Sequence, residues 1–200
     1  MSGRDVVLVA SGGANIASLK FALERLGESC AVSGDPERIR AATHVILPGV
    51  GAAADAMARL ERAGLHRVLP ALTQPVLGIC LGMQLLHEAS EEGGAGCLGI
   101  IPGTAARLAD SPSLPVPHMG WNTMNIERAS PLLEGLTAAD YAYFVHSYAL
   151  HPSAATIASC RYGISFSACV AWRNFYGVQF HPERSAGTGA RMLANFLSLA

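Results

Sequence analysis

The sequence is poor in charge: Asp, Glu, Lys and Arg make up 14% of its 200 residues, and the formal net charge is −1. No block of like charge interrupts it, so neither a nucleic acid nor an anionic membrane is indicated as a partner. No apolar run approaches the roughly 20 residues of a membrane-spanning helix. The opening stretch MSGRDVVLVASGG has neither the long apolar core nor the small-residue cleavage site of a secretion signal. It is expected to be a first strand, and the protein to be cytoplasmic. The five cysteines, Cys30, Cys80, Cys97, Cys160 and Cys169, are odd in number and form no CxxC pair. That argues against a disulfide framework and fits a reducing compartment. No histidine pair has the spacing of a helical zinc motif, so no metal is expected. Internal repeats and low-complexity linkers are also missing.

Half of the residues are hydrophobic, enough for a sizeable core at this length, and a single domain over residues 1–200 is expected. DVVLVA (Asp5 to Ala10), ESCAVS, THVILPGVG and PVLGIC read as short strands. Between them NIASLKFALERLG shows helical spacing at Ile16, Leu19, Leu23 and Leu26, and AAADAMARLERAG and LHRVLPALT are helix-like. Strands alternating with helices, and apolar on both faces, predict an α/β fold with a mainly parallel central sheet. LGMQLLHEAS is expected to continue PVLGIC as a helix. From Leu98 to Val178 the segments AARLA, WNTMNIER, YAYFVHSYAL, ATIASCRYG, SACVAWRN and FYGVQF predict an antiparallel extension of the same sheet. SAGTGARMLANFLSLA closes the chain as a helix, and ADSPSLPVP is a candidate loop.

One cysteine sits where chemistry is expected. Gly78-Ile79-Cys80-Leu81-Gly82 has the layout of a nucleophile elbow with thiol in place of hydroxyl. The glycines permit a sharp strand-to-helix turn that holds the sulfur above the carboxyl end of the sheet. The start of the following helix faces the sulfur, and the Leu81 amide is free to meet a developing oxyanion. A thiol nucleophile needs a base and an orienting group. Of seven histidines, His181 follows the strand YGVQF, and Glu183 lies two residues on, on the same side of an extended chain. Cys80, His181 and Glu183 thus fit nucleophile, base and orienter. LPGVG (Leu47 to Gly51) is a glycine turn at a strand end, able to offer a second oxyanion donor from Val50 or Gly51. A small buried cysteine, a surface His-Pro turn and an ordinary strand-to-helix turn are the plain alternatives for these three features.

PGVG, GICLGMQLL and GVQFHPERS, in that order, resemble the three signature regions of the class I (triad) glutamine amidotransferases. VPHMGWN (Val116 to Asn122), YFVHSY (Tyr143 to Tyr148) and the early GGANIASL are similar to the branch of that family that serves as glutaminase subunits of imidazole glycerol phosphate synthase. The resemblance covers essentially the whole chain. It implies a flavodoxin-like amidotransferase fold with helices on both faces of the sheet. It also implies hydrolysis of glutamine through a glutamyl thioester on Cys80, with no cofactor. Gln84 and the main chain near Ser147 and Tyr148 would then hold the glutamine. The ammonia would pass to a separate (β/α)₈ cyclase subunit of the HisF type, in a heterodimer. There it would convert PRFAR to imidazole glycerol phosphate and AICAR. Asn15, Met119, Trp121, Tyr143 and Arg184 match family positions near that interface, whereas His118 and His146 would be structural or interfacial. Ala10 departs from the aspartate that often ends the family's first strand. Alternatives are an amidotransferase subunit of the anthranilate or aminodeoxychorismate type, a related cysteine hydrolase, and a silent regulatory subunit.

Overall fold

The computed structural model describes residues 4–10 and 16–200. The first half comprises β1 (Val6–Val9), α1 (Ile16–Glu24), β2 (Cys30–Ser33), α2 (Pro36–Ala41), β3 (His44–Gly49), α3 (Ala53–Arg62), α4 (Leu65–Val68), β4 (Val76–Cys80) and α5 (Leu81–Leu85). The second comprises β5 (His87–Ser90), β6 (Ala95–Gly96), β7 (Ile101–Arg107), β8 (His118–Thr123), β9 (Asn125–Ile126), β10 (Tyr141–His146), β11 (Tyr148–Leu150), β12 (Thr156–Tyr162), β13 (Ile164–Trp172), β14 (Phe175–Val178) and α6 (Ala186–Leu197).

The central sheet runs β2-β1-β3-β4-β14-β13-β12-β9. Its strands are parallel from β2 to β14 and antiparallel from β13 to β9. β14 is the junction: Gly177 pairs with Gly78 of β4 in parallel and with Val170 of β13 in antiparallel register. Both faces are apolar because both are covered. Val6 and Leu8 of β1 pack with Leu19 and Leu23 of α1 and Met192 and Phe196 of α6. Val7 and Val9 point the other way, into a cluster with Ile39 of α2, Leu60 of α3 and Leu65 of α4. The period-2 alternation of a strand thus feeds two cores.

The expected antiparallel extension is present in β14, β13, β12 and β9, but AARLA, the start of WNTMNIER and YAYFVHSYAL do not join it. β11, β7, β5 and β6 form a separate four-stranded sheet, and β10 pairs with β8 in a two-stranded ribbon. YAYFVHSYAL, expected as one strand, breaks at Ser147. There the His146 ring Nδ1 bonds the Tyr148 carbonyl at 3.0 Å and the Ser147 carbonyl accepts from the Leu108 amide at 2.9 Å. These local bonds turn the chain from one sheet to the other. The helix expected over LGMQLLHEAS stops at Leu85. The Leu85 and Leu86 carbonyls accept from the Leu98 and Ile101 amides at 2.9 Å, and His87–Ser90 becomes strand. LHRVLPALT likewise yields a single turn of helix, Leu65–Val68, followed by a 3₁₀ turn at Leu69–Ala71.

Phe166 of β13 is fully buried at the meeting point of sheet and ribbon, with ring centroids 5.7 Å from Phe144 and 4.9 Å from His146. Replacing Phe166 by Ala is expected to lower the unfolding free energy by about 3–5 kcal/mol, through lost burial and the cavity left behind. Urea denaturation of the two proteins measures this; a loss below about 1 kcal/mol would mean the site collapses freely.

Candidate functional site

β4 delivers Cys80 at its last residue in an unusual backbone conformation, φ 53 and ψ −113. A side-chain-bearing residue is strained there, and such strain gathers at functional sites. The two flanking glycines show how the turn is achieved. A Cβ on Gly78 would lie 2.7 Å from the Gly82 main chain, and one on Gly82 would lie 1.9 Å from the Leu47 carbonyl oxygen. Only without those side chains can α5 start directly against β3 and β4. The helix behind the sulfur is a five-residue one, shorter than expected, so its dipole is a smaller influence on Cys80 than the sequence suggested.

His181 follows β14, the strand next to β4, and so emerges at the same end of the sheet as Cys80. Its main-chain N–H bonds the Tyr143 carbonyl at 3.0 Å, and its carbonyl accepts from the Ser185 hydroxyl at 2.7 Å. The His181 Nδ1–H donates to Glu183 Oε1 at 2.8 Å, with 6% and 3% of the two side chains exposed. The expected route to this contact was an extended chain. Instead Pro182–Arg184 forms a 3₁₀ turn, which brings the carboxylate back under the ring. Burial opposes a charge on His181, but its hydrogen bonds to Cys80 and Glu183 outweigh that, and its pKa is pushed up to about 10.

A cavity of about 330 Å³ opens over the sulfur. Val50, Gly51, Leu81, Gln84, Ser147, Tyr148 and His181 are among the residues that line it. Gly49 still belongs to β3, paired with Cys80, so the bend comes at Val50 and Gly51, where Gly51 takes φ +93. Gln84 is buried, and its amide nitrogen donates to the Tyr148 carbonyl at 2.9 Å and to Gln179 Oε1 at 3.0 Å. The sulfur itself lies 3.7 Å from Gln179 Nε2 and 3.8 Å from the Val145 carbonyl oxygen. The structure therefore brings together Cys80, His181, Glu183, Leu81, Val50, Gly51, Gln84, Ser147 and Tyr148.

Other cavity residues escaped the sequence reading. Glu92 comes from the 3₁₀ turn between β5 and β6, and its Oε2 accepts from the Ala53 amide at 2.9 Å at the start of α3. No periodicity or motif marks it, because the small sheet that carries it was not foreseen. His146 also lines the cavity. Its Nε2 meets His118 Nδ1 at 3.0 Å, and His118 in turn stacks on Tyr162 at 4.1 Å. Burial pushes the pKa of His118 down to about 4 and that of His146 to about 3.

Of the residues matched to an interface, Met119, Trp121 and Tyr143 lie on the β8–β10 ribbon and Arg184 on the 3₁₀ turn after His181. Met119 and Trp121 are 62% and 52% exposed. Tyr143 pairs with Trp121 across the ribbon, ring centroids 5.8 Å apart, and the Arg184 guanidinium lies 4.8 Å over the Tyr143 ring. Tyr141, not foreseen, is exposed on the same strand. Asn15 falls outside the described residues. Ala10 is exposed, and its amide continues the β1–β2 ladder to the Ser33 carbonyl at 2.9 Å. Among the described residues no three His, Cys, Asp or Glu side chains cluster as metal ligands, and no helix is long and apolar enough to cross a membrane.

A mainly parallel sheet with a cysteine at a strand-to-helix elbow and a neighbouring His-Glu pair is the layout that a thiol nucleophile would need. Residues 9–199 match the glutamine amidotransferase class-I family, and the chain belongs to that family. It is 52% identical to the imidazole glycerol phosphate synthase subunit HisH 2 of Legionella pneumophila (strain Lens) over 194 residues, 97% of this chain and 98% of that one. It is 52% identical to the subunit HisH of Idiomarina loihiensis over 195 residues, 98% of each chain, and 48% identical to that of Vibrio cholerae over 98% of this chain and 99% of the other. Among solved structures, one described as a glutamine amidotransferase superposes with TM-score 0.74 at 19% identity, covering 96% of both chains. A chain of PurLQS from Thermotoga maritima gives 0.67 at 19% identity over 98% of both. The fold is the flavodoxin-like one of class I amidotransferases.

The buried histidines and His181 respond to pH in opposite senses. Burial lowers His87, like His118, to about 4 and His146 to about 3, below their unfolded value near 6.5, so the unfolded chain binds more protons. Their contribution is present above about pH 6.5 and lost as pH falls toward these values. His181 is raised to about 10, so its contribution is complete below about pH 6.5 and lost as pH rises through the folded value. Stability is expected to peak near neutrality and fall on both sides, as read from urea midpoints between about pH 5 and about pH 10. A midpoint that stays flat down to about pH 5 would show that these histidines are not held neutral.

Proposed function

We propose that this chain is the glutaminase subunit of an imidazole glycerol phosphate synthase and that all of it acts as one amidotransferase domain. The observation that carries the reading is that Cys80 and His181 line one cavity, with the buried Glu183 carboxylate hydrogen-bonded to the far side of the imidazole. The names of the relatives at about half identity direct it to this synthase.

Cys80 Sγ attacks the side-chain carbonyl carbon of glutamine. His181 takes the thiol proton and passes it to the departing nitrogen, so that ammonia leaves and a glutamyl thioester remains. Glu183 orients the imidazole and balances its charge through the Nδ1–H bond. The oxyanion of the tetrahedral intermediate meets the Leu81 amide and the Val50–Gly51 turn. Water activated by His181 then displaces the sulfur and releases glutamate. The main chain at Ser147 and Tyr148 and the side chain of Gln84 hold the amino-acid end, and the Glu92 carboxylate supplies the charge that an α-ammonium needs.

Ammonia has a use only if it stays unprotonated, and in water at neutral pH most of it is ammonium. The exposed Met119 and Trp121, with Tyr143 and Arg184 behind them, are a surface that a (β/α)₈ cyclase partner of the HisF type would cover, sealing the route to its own site. That partner would close imidazole glycerol phosphate from PRFAR, and both proteins would work in the cytoplasm.

Two substitutions test the division of labour in the complex. Cys80→Ala is expected to abolish glutamine-dependent synthesis and leave synthesis from added ammonium salt intact; loss of both activities would sink the reading. His181→Ala is expected to lower glutamate release by about 10³-fold or more, as measured by coupled assay, and a drop below about tenfold would remove His181 from the chemistry.

A further inference from the structure

Gln179 is fully buried between β14 and the reactive histidine, and the hydrolysis of glutamine as derived from the triad makes no use of it. Its backbone N–H continues the ladder to the Ala168 carbonyl at 2.9 Å, which fixes the side chain beneath the cavity. Both ends of its amide face the site: Oε1 is 3.0 Å from Gln84 Nε2, and Nε2 is 3.7 Å from Cys80 Sγ.

The direction of these bonds is forced. The Tyr148 carbonyl can only accept, so the Gln84 atom 2.9 Å from it is the amide nitrogen. That same nitrogen faces Gln179, so the facing atom of Gln179 is its oxygen and the atom toward the sulfur is its N–H. The Tyr148 carbonyl is held from a second side by His146. Its Nδ1–H donates at 3.0 Å, its Nε2 therefore accepts, and His118 Nδ1–H donates to it at 3.0 Å. The Tyr148 carbonyl thus accepts from both sides, and flipping any single amide or ring would set two acceptors or two donors against each other.

We propose that Gln179 is a positioning residue for the nucleophile: its N–H donates to Cys80 Sγ, and its oxygen, through Gln84, registers that sulfur to the Tyr148 carbonyl at the rim of the glutamine site. A hydrogen bond to an ionised acceptor is roughly twice as strong as one to a neutral acceptor. The Gln179 N–H therefore favours the sulfur when it carries negative charge. That is the case just before attack on glutamine and again when water breaks the thioester and the sulfur leaves with the electron pair. The thiol donates on its other side to the Val145 carbonyl, 3.8 Å away, so the sulfur is held between a donor and an acceptor.

The catalytic half of the test rests on the glutaminase reading; the other half does not. Gln179→Met removes the donor and keeps the bulk. In the complex with the cyclase, kcat for glutamine is expected to fall about tenfold or more while KM moves by less than about threefold, because Gln84 keeps its bond to Tyr148. On the purified chain, alkylation of Cys80 by iodoacetamide at neutral pH, followed by peptide mass mapping, is expected to slow about tenfold. This needs no glutamine, so it reads the Gln179–Cys80 bond even if wild type proves inactive on glutamine. A merely structural role would lower the melting temperature without changing the alkylation rate of the folded protein. Alkylation within about twofold of wild type, in a variant with unchanged circular dichroism, overturns the proposal. If Gln179→Met does not fold, Gln179→Glu keeps the acceptor for Gln84 and loses the donor to sulfur. Slower alkylation in that variant supports the proposal and an unchanged rate overturns it.

Discussion

The close approach of Gly82 to the Leu47 carbonyl is the constraint on which the site depends. With no side chain at Gly78 or Gly82, α5 can begin directly against β3 and β4, and the turn between strand and helix becomes sharp enough to hold Cys80 at φ 53. The strain is held by packing on every side: Leu47, Leu81 and Met83 are buried in one cluster, and Ile79 and Cys80 in the other. Cys80 and Leu81 consequently both line the cavity at the end of the sheet. A methyl group at either glycine would push back on main chain, which cannot give way as a flexible side chain can.

Partners come to this corner from distant parts of the chain in different ways. His181 arrives by strand register, since β14 lies beside β4 with Val178 opposite Ile79. Glu183 arrives by a local turn. Ser147 and Tyr148 arrive because the chain breaks between two sheets at that point, and Glu92 because a short turn of the small sheet reaches over the start of α3. The first two depend on the stiff central sheet. The last two depend on small satellite sheets, and they line the same cavity.

This division also explains what could be read before the structure. The alternation of strand and helix, the two-sided apolar strands and the Gly-x-Cys-x-Gly spacing are local signals, and they point to the parallel sheet, the elbow and the placement of Cys80 and His181. The short strands after Leu85 carry little local signal. LGMQLLHEAS looks helical, and only the Leu98 and Ile101 amides, which take the Leu85 and Leu86 carbonyls, end the helix. Tertiary hydrogen bonds of that kind have no sequence period. The same holds for Glu92 and for the His118–His146 contact, whose members belong to different elements and meet only when the ribbon forms. The His181–Glu183 contact was legible in its partners and not in its geometry, because Pro182 initiates a 3₁₀ turn where an extended segment was expected.

The parallel pairing of β14 with β4 has a consequence in time as well as in space. Cys80 is placed early in the chain, but the groups that make its sulfur useful lie beyond the last strand of the sheet. Until β14 has docked between β4 and β13, no imidazole stands beside the thiol and no amide points at it. A partly synthesised chain thus carries Cys80 without these neighbours. On the proposed mechanism the sulfur would gain its base only when the sheet closes around its final strand, so a chain that stalls or misfolds would not expose an activated nucleophile.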